Sequence, residues 1–334
     1  MLSCGDAQVN RNRRSPSKTM RRHFRLIWFA AGLSIAVNAA ACSGASEQTA
    51  QAGSNLSGPL ISSRTTMVTA WEFPRNPLAD PGLDDSRLSA EIKWGFQIFT
   101  NTPVEAARFT PSKISCSNCH LNGGQREKSL PLVDIVGMFP EYNRRSGRLF
   151  SLGDRIVDCF LRSENATGRA GEEDDEMPSH TSKEVLALSA YLTWLSRGAE
   201  VGKNPPWRGQ NVIPASSLIP VDKLDPTKGE ALFTERCTSC HGPDGQGVTI
   251  GDKTPGPLWG PSSWNDGAGA ARVYTLAGII RYSMPYLDPG SLTDEEAQHV
   301  SAFINSKPRP SFPSKDQDYT VEKLPADAVY YSRR

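Results

Sequence analysis

Two copies of the pattern Cys-x-x-Cys-His stand far apart in this chain of 334 residues, at 116–120 and 237–241. Two cysteines three positions apart on a helical turn can both bond one porphyrin, and the adjacent histidine can bind its iron. Cysteine pairs that share a zinc ion usually lie only about 15–20 residues apart, and no βαβ pattern indicates a thioredoxin-like redox pair. We therefore expect two covalently bound haem c groups, on Cys116, Cys119 and His120 and on Cys237, Cys240 and His241.

Each haem iron needs a second axial ligand, which decides whether the haem only carries electrons or also meets a substrate. For the second haem we expect Met284, unless that methionine merely packs against the ring. For the first haem two candidates stay open. Met177 occupies the equivalent place and would make another electron carrier. Cys159 lies between the motif and Met177, and its alternative role is a small buried hydrophobe.

Six arginines lie close to Cys159, although the formal charge of the whole chain is only +1. Positive charge near a thiol lowers its pKa and attracts anions. The alternative is a solvated basic face balanced by the acidic run 172–176. The near-neutral total argues against a nucleic-acid-binding surface. The six are Arg144, Arg145, Arg148, Arg155, Arg162 and Arg169.

The elements that must position these residues follow one plan in both halves of the chain. Amphipathic segments at 87–99 and 228–233 lead into the two cysteine motifs. The two methionine candidates each precede a strong helix, and strand-like alternation is scarce. The pattern predicts a mostly α fold of two cytochrome c-like domains with long loops and little strand. Capping boxes are expected at both downstream helices, as Thr181-x-x-Glu184 and Thr293-x-x-Glu296.

The N-terminal region has the charged-then-apolar pattern of a secretory signal, starting from Met20, and its apolar run is too short to span a bilayer. Cys42 follows an Ala-x-Ala pattern and resembles the lipid-bearing cysteine of a bacterial lipoprotein. Ordinary cleavage nearby is the alternative. We expect a periplasmic protein, with a lipid anchor at Cys42 in the first case. Of seven cysteines, only Cys159 lies outside the leader region and the two motifs, so no disulfide is expected.

Composition also suggests the domain boundaries. Small polar residues indicate a tether after the leader, and a cluster of prolines separates the two halves. A Pro-rich tail is expected to wrap the second domain. The predicted segments are a signal peptide (1–41), a tether (42–70), an N-terminal catalytic domain (71–204), a linker (205–222), a C-terminal electron-transfer domain (223–307) and the tail (308–334).

The chain resembles the dihaem thiosulfate dehydrogenases from about Trp71 to about Phe312. The resemblance rests on motifs in both halves. In the first half they are Cys-Ser-Asn-Cys-His-Leu-Asn-Gly-Gly at 116–124, Asp-Arg-Ile-Val-Asp-Cys-Phe-x-Arg-Ser at 154–163 and Ala-Tyr-Leu-x-Trp-Leu-Ser-Arg-Gly at 190–198. In the second half they are Pro-Leu-Trp-Gly-Pro at 257–261, Trp-Asn-Asp-Gly-Ala-Gly at 264–269 and Arg-Tyr-Ser-Met-Pro at 281–285.

The resemblance implies that Cys159 is the distal ligand of the first haem, which leaves Met177 a packing or loop role. It also implies a substrate pocket built from Arg145, Arg155 and Ser163. One departure concerns the second haem. The family often has Lys or Met after Gly-Ala-Gly, whereas Ala270 and Ala271 stand here. Met284 is then the only ligand expected for the second iron.

The implied reaction couples two thiosulfate ions to tetrathionate. Two electrons would pass through the His/Cys haem and the His/Met haem to a small c-type cytochrome or another periplasmic acceptor. Arg145 and Arg155 would neutralise the anions, Ser163 would donate a hydrogen bond, and Cys159 would be ligand and nucleophile in turn. Three alternatives stay open: an electron carrier with Met177 as ligand, a Sox-type sulfur-transferring cytochrome and a physiological tetrathionate reductase.

Overall fold

The structure is a computed structural model that describes residues 75–166, 177–251 and 254–332. The predicted signal peptide, the tether, Cys42 and Arg169 lie outside these residues. All of the described residues belong to one compact unit. No helix within the described ranges is long and apolar enough to cross a membrane.

The N-terminal half is helical, with one short hairpin. Its helices are α1 (Arg87–Thr100), α2 (Thr102–Glu105), α3 (Cys116–Cys119), α4 (Leu121–Gly124), α5 (Leu152–Arg162) and α6 (Lys183–Leu195). Strands β1 (Glu141–Asn143) and β2 (Arg148–Phe150) pair antiparallel, with Tyr142 opposite Leu149. This agrees with the expected mostly α fold.

The described residues of the C-terminal half form four α-helices, α7 (Pro226–Arg236), α8 (Thr238–His241), α9 (Val273–Ser283) and α10 (Asp294–Asn305). The capping box at the start of α10 is confirmed, since the Thr293 amide donates to Glu296 Oε2 at 2.7 Å and the Glu296 amide donates to Thr293 Oγ1 at 3.2 Å. The box predicted at Thr181 is wrong. Helix α6 begins after Ser182, and Glu184 is instead paired with Arg108 at 2.8 Å.

Each half has its own apolar core, and the two cores are built alike. In the first, α1 crosses α6 at Gly95, where a Cβ atom would overlap the carbonyl of Ala187. In the second, α7 crosses α10 at Gly229, where a Cβ atom would overlap the carbonyl of His299. Only glycine lets these helix backbones approach so closely. The internal repeat seen in the sequence is therefore also present in the packing.

The predicted linker and tail both contact the two halves. In the linker, Trp207 Nε1 donates to the carbonyl of Val133 at 2.7 Å, and the carbonyl of Ile219 accepts from the Tyr274 hydroxyl at 2.7 Å. The tail was expected to wrap the second half, but it reaches further. The Tyr319 amide donates to the carbonyl of Arg145 in the first half at 2.7 Å.

Candidate active site

A cavity of about 300 Å³ lies in the N-terminal half beside the first cysteine motif. Cys116, Cys119 and His120 are part of its wall, and so is Cys159. Much of the remaining wall is apolar, which suits a large flat ring. The linker closes one part of the wall with residues 207–209 and Asn211, a role that its composition did not indicate.

His120 is prepared to bind a metal at one nitrogen. Its Nδ1 atom lies 2.6 Å from the carbonyl oxygen of Leu130. A carbonyl can only accept, so Nδ1 carries the hydrogen and Nε2 keeps its lone pair. Burial is the main cause that lowers the pKa of His120 to about 4, which keeps the imidazole neutral.

Helix α5 and the residue that follows it bring three of the four predicted catalytic residues to this cavity. The helix begins at a capping box, in which Ser151 Oγ accepts from the Asp154 amide at 3.1 Å and Asp154 Oδ2 accepts from the Ser151 amide at 2.8 Å. Arg155, Cys159 and Ser163 follow at intervals of four, so they share one helix face. All three line the cavity.

Met177 is placed differently. It is 51% exposed and is not part of the cavity wall. Of the two candidates that spacing left open for the first iron, only Cys159 therefore shares a cavity with His120.

The arginines around Cys159 do not act as one cluster. Arg144 is 80% exposed and lies 3.6 Å from Glu322, while Arg148 pairs with Asp154 at 2.9 Å. Arg162 is buried in ion pairs with Asp158 and Asp318. Among the described arginines of this set, Arg155 alone lines the cavity, where Arg208 of the linker joins it, and the contact of Arg155 with Asp158 is long, at 3.5 Å.

Arg145 stands at the turn between β1 and β2 and is absent from the cavity wall. Its Nη1 atom donates to the carbonyl of Gly267, in the C-terminal half, at 2.6 Å. Its charge still acts on Cys159, because it lowers the pKa of that thiol.

The expected lowering of the Cys159 pKa is not found. Burial raises the pKa of the thiol above its usual 9.0, and this outweighs the opposing effect of Arg155. The carboxylates of Asp158 and Glu164 raise it further. The arginines near Cys159 in sequence have their own partners: Arg144, Arg148 and Arg162 each pair with a carboxylate.

Glu164 is a cavity residue that the sequence argument missed. It is 2% exposed, and its Oε2 accepts from the Ser112 hydroxyl at 3.1 Å. Burial raises the pKa of its carboxyl to about 8. Its place directly after Ser163 was the one available signal, and nothing in its spacing distinguished it from a surface acid.

The second motif lies against the C-terminal core. Burial lowers the pKa of His241 to about 4, and both Cys237 and Met284 pack against this core. Ala270 and Ala271 offer no side-chain donor atom.

Buried donors next to this core lack an acceptor within the described part of the chain, namely Ser263 Oγ, Trp264 Nε1 and Arg309 Nη1. The Arg309 guanidinium lies 4.8 Å from the centre of the Trp264 ring. Buried polar groups are normally hydrogen-bonded. A haem, with an apolar ring and two carboxylates, fits both this arrangement and the N-terminal cavity.

Residues 106–201 match the family "SoxA/TsdA, cytochrome c domain", and residues 224–304 match "Cytochrome C oxidase, cbb3-type, subunit III". The matched segments contain the two cysteine motifs. The protein is therefore a c-type cytochrome with covalently bound haem c.

Curated relatives are similar over most of the chain. A thiosulfate dehydrogenase from Stutzerimonas stutzeri is 37% identical over 245 residues, which cover 73% of this chain and 76% of the relative. One from Allochromatium vinosum is 39% identical over 237 residues, covering 69% and 82%. The solved structure of thiosulfate dehydrogenase TsdBA from Marichromatium purpuratum superposes with a TM-score of 0.62 at 33% identity. That match covers 69% of this chain but only 48% of the solved one. The chain belongs to the thiosulfate dehydrogenase family.

Proposed function

We propose that this protein oxidises thiosulfate and joins two thiosulfate ions into tetrathionate at the N-terminal cavity. One observation carries the proposal: Cys159, Arg155 and Ser163 share a cavity with His120, whereas Met177 does not. The related proteins named thiosulfate dehydrogenase support the choice of substrate.

In this proposal His120 and Cys159 would hold the iron of the first haem, and His241 and Met284 would hold that of the second. Bound haem c supplies one-electron acceptors for the two electrons that the reaction releases. A small c-type cytochrome or another periplasmic protein would then receive them. Export and a lipid anchor at Cys42 belong to the same proposal.

The arginines and the serine bind the anions. Two thiosulfate dianions repel each other, so their approach requires positive charge in a site of low polarity. Arg155 provides it from the cavity wall, because its long contact with Asp158 leaves its donors available. Arg145, whose guanidinium is hydrogen-bonded to the carbonyl of Gly267, adds a second positive charge. Ser163 donates a hydrogen bond to a sulfonate oxygen.

Cys159 performs the sulfur chemistry in two steps. Its thiolate first forms an S–S bond with the outer sulfur of one thiosulfate, and two electrons leave. The product is an enzyme-bound cysteine S-thiosulfonate. The outer sulfur of a second thiosulfate then attacks the thiosulfate-derived sulfur next to Cys159. This attack breaks the bond to Cys159 and releases both tetrathionate and the thiolate.

The test is a steady-state assay of the purified holoprotein with thiosulfate and an artificial electron acceptor, scored for tetrathionate. Cys159→Ala should keep both haems attached and abolish tetrathionate formation. Met177→Leu is the matched control and should retain full activity. The oxidised wild type and Met177→Leu should show the electron paramagnetic resonance signal of a His/thiolate haem, and Cys159→Ala should lack it. An active Cys159→Ala protein would refute the proposal.

The same assay separates the alternatives. A simple electron carrier with Met177 as ligand would not turn over thiosulfate. A Sox-type cytochrome acts on a protein-bound substrate, so turnover of free thiosulfate by the isolated chain argues against it. Running the assay with tetrathionate and a reduced donor measures the reverse direction.

A further inference from the structure

A buried arginine that has no counter-ion among the described residues lies where the two halves of the protein meet. Arg126 is 2% exposed and sits on the loop that follows His120. Its Nη2 atom donates to the carbonyl of Tyr286 at 2.7 Å, and its guanidinium lies 4.4 Å from the centre of the Tyr286 ring. Tyr286 stands two residues after Met284. The arginine thus connects the segments that follow the candidate ligands of both haems.

Arg126 has unused hydrogen-bonding capacity. Its Nη1 atom is buried without a partner, and its guanidinium forms no ion pair with any carboxylate in the ranges that the structure describes. Glu127 is next along the chain, but no ion pair joins its carboxylate to Arg126 in the described ranges, and its Oε2 atom is itself buried without a partner there. A buried charge without a counter-charge costs several kcal/mol. A negative group at this place would offset that cost.

Two further donors accompany this arginine. Asn122 Oδ1 accepts from the Tyr286 hydroxyl at 3.1 Å, which leaves Asn122 Nδ2 buried without an acceptor. The Ser129 amide donates to the carbonyl of Arg126 at 3.2 Å, and Ser129 Oγ, like Asn122 Nδ2, is buried without a partner in the part of the chain that the structure describes. A guanidinium, an amide and a hydroxyl together suit a carboxylate.

We propose that Arg126, Asn122 and Ser129 form a carboxylate-binding site between the two halves, which takes a propionate of a covalently bound haem. A free solute is a poor candidate because the arginine is almost completely buried. Haem c is held covalently on the segment that leads into this loop, and each haem carries two propionates. This site would bind the cofactor whether or not the protein oxidises thiosulfate.

The site has a redox consequence. A fixed positive charge beside a haem disfavours the extra positive charge of the ferric state, so it raises the reduction potential. Arg126 should therefore keep one haem at a higher potential than it would otherwise have.

The experiment measures the reduction potentials and the melting temperature of the holoprotein. Potentiometric titration followed by absorbance and electron paramagnetic resonance resolves the two haems, which identifies the haem that owns the propionate. Arg126→Met should lower the potential of one haem and lower the melting temperature, because the carboxylate is left buried and unpaired. Arg126→Lys should restore most of both values.

Arg75→Met is the matched control. Arg75 makes the same two kinds of contact, with its guanidinium 4.3 Å from the centre of the Trp194 ring and its Nη2 atom donating to the carbonyl of Trp194 at 3.1 Å. Asp80 supplies negative charge nearby. Replacement of Arg75 should leave the reduction potentials of both haems unchanged.

Two results would overturn the proposal: unchanged potentials of both haems in Arg126→Met, or a higher melting temperature, as expected when a truly unpaired charge is removed. If Arg126→Met does not fold, the variant Asn122→Asp tests the site instead. It keeps the acceptor for Tyr286 and replaces the donor with negative charge, so it should lower the potential of one haem. An unchanged potential there rejects the site.

Discussion

The ion pair between Arg162 and Asp318 should fasten the C-terminal tail to the helix that carries Cys159. Their side chains are only 7% and 3% exposed. Arg162 Nη1 and Nη2 donate to the two carboxylate oxygens of Asp318 at 2.8 and 2.7 Å. Asp318 also accepts from the Tyr331 hydroxyl at 2.6 Å, and Arg162 Nε donates to Asp158 at 2.6 Å.

Asp318→Asn keeps the shape of the side chain but removes its charge and one of its two acceptor oxygens. A hydrogen bond to a charged group contributes about 1.5–3 kcal/mol, and breaking a buried pair completely costs about 3–5 kcal/mol. Asp158 still neutralises Arg162 in the variant. We therefore expect the free energy of unfolding to fall by about 3 kcal/mol.

The assay is urea denaturation of the holoprotein, with Asp222→Asn as control. The side chain of Asp222 is 76% exposed and lies 3.8 Å from Lys223. Such surface pairs contribute about 0–1 kcal/mol, so this variant should unfold close to the wild type. If both variants unfold at the same urea concentration, the buried pair does not hold the tail and the reasoning is refuted.

Further predictions concern the cavity and the helices around it. Arg155→Gln should lower kcat/KM for thiosulfate about 10²–10³-fold through the loss of its charge, whereas Arg148→Gln, with a side chain 56% exposed, should match the wild type in the same steady-state assay. Gly95→Ala should reduce stability by about 1–3 kcal/mol in thermal melts, because the new methyl group forces two packed helices apart; an unchanged melting temperature would contradict the close crossing. Burial raises the pKa of Asp154, but hydrogen bonds from Ser151 and the charge of Arg148 prevail and lower it to about 2. This lowered pKa gives stability that is present above pH ~4 and lost as the pH falls towards 2, so Asp154→Asn should flatten the acid side of the stability curve measured by urea unfolding.

The local features of the fold could be predicted from the sequence. The haem motifs, the helix over 87–99 and the capping box at Thr293 depend on residues a few positions apart, and the structure contains these helices and this box. The box at Thr181 was wrong for a long-range reason. Glu184 binds Arg108, which lies 76 positions earlier, and local spacing carries no sign of that pairing.

The site was harder to predict than the fold. Arg155 and Arg162 look equivalent in the sequence, since each lies on α5 close to Cys159. Their roles differ because Asp318, 156 positions after Arg162, binds the guanidinium of Arg162 and not that of Arg155. Glu164 was missed for the same kind of reason, since its buried carboxylate accepts a hydrogen bond from Ser112, 52 positions away. Contacts between distant segments decide which charges remain available for a substrate.

The same contacts argue against assigning the chemistry to one half of the chain. Arg145 lies on a short two-stranded hairpin, which alone would hold a long side chain poorly. The C-terminal half fixes it from two sides: the Gly267 carbonyl binds its guanidinium, and the Tyr319 amide binds its carbonyl. Fixing a charged group before the substrate arrives reduces the cost of ordering it during the reaction. In the proposed mechanism the C-terminal half and the tail therefore contribute to anion binding, and a tail that detaches should weaken the binding of thiosulfate.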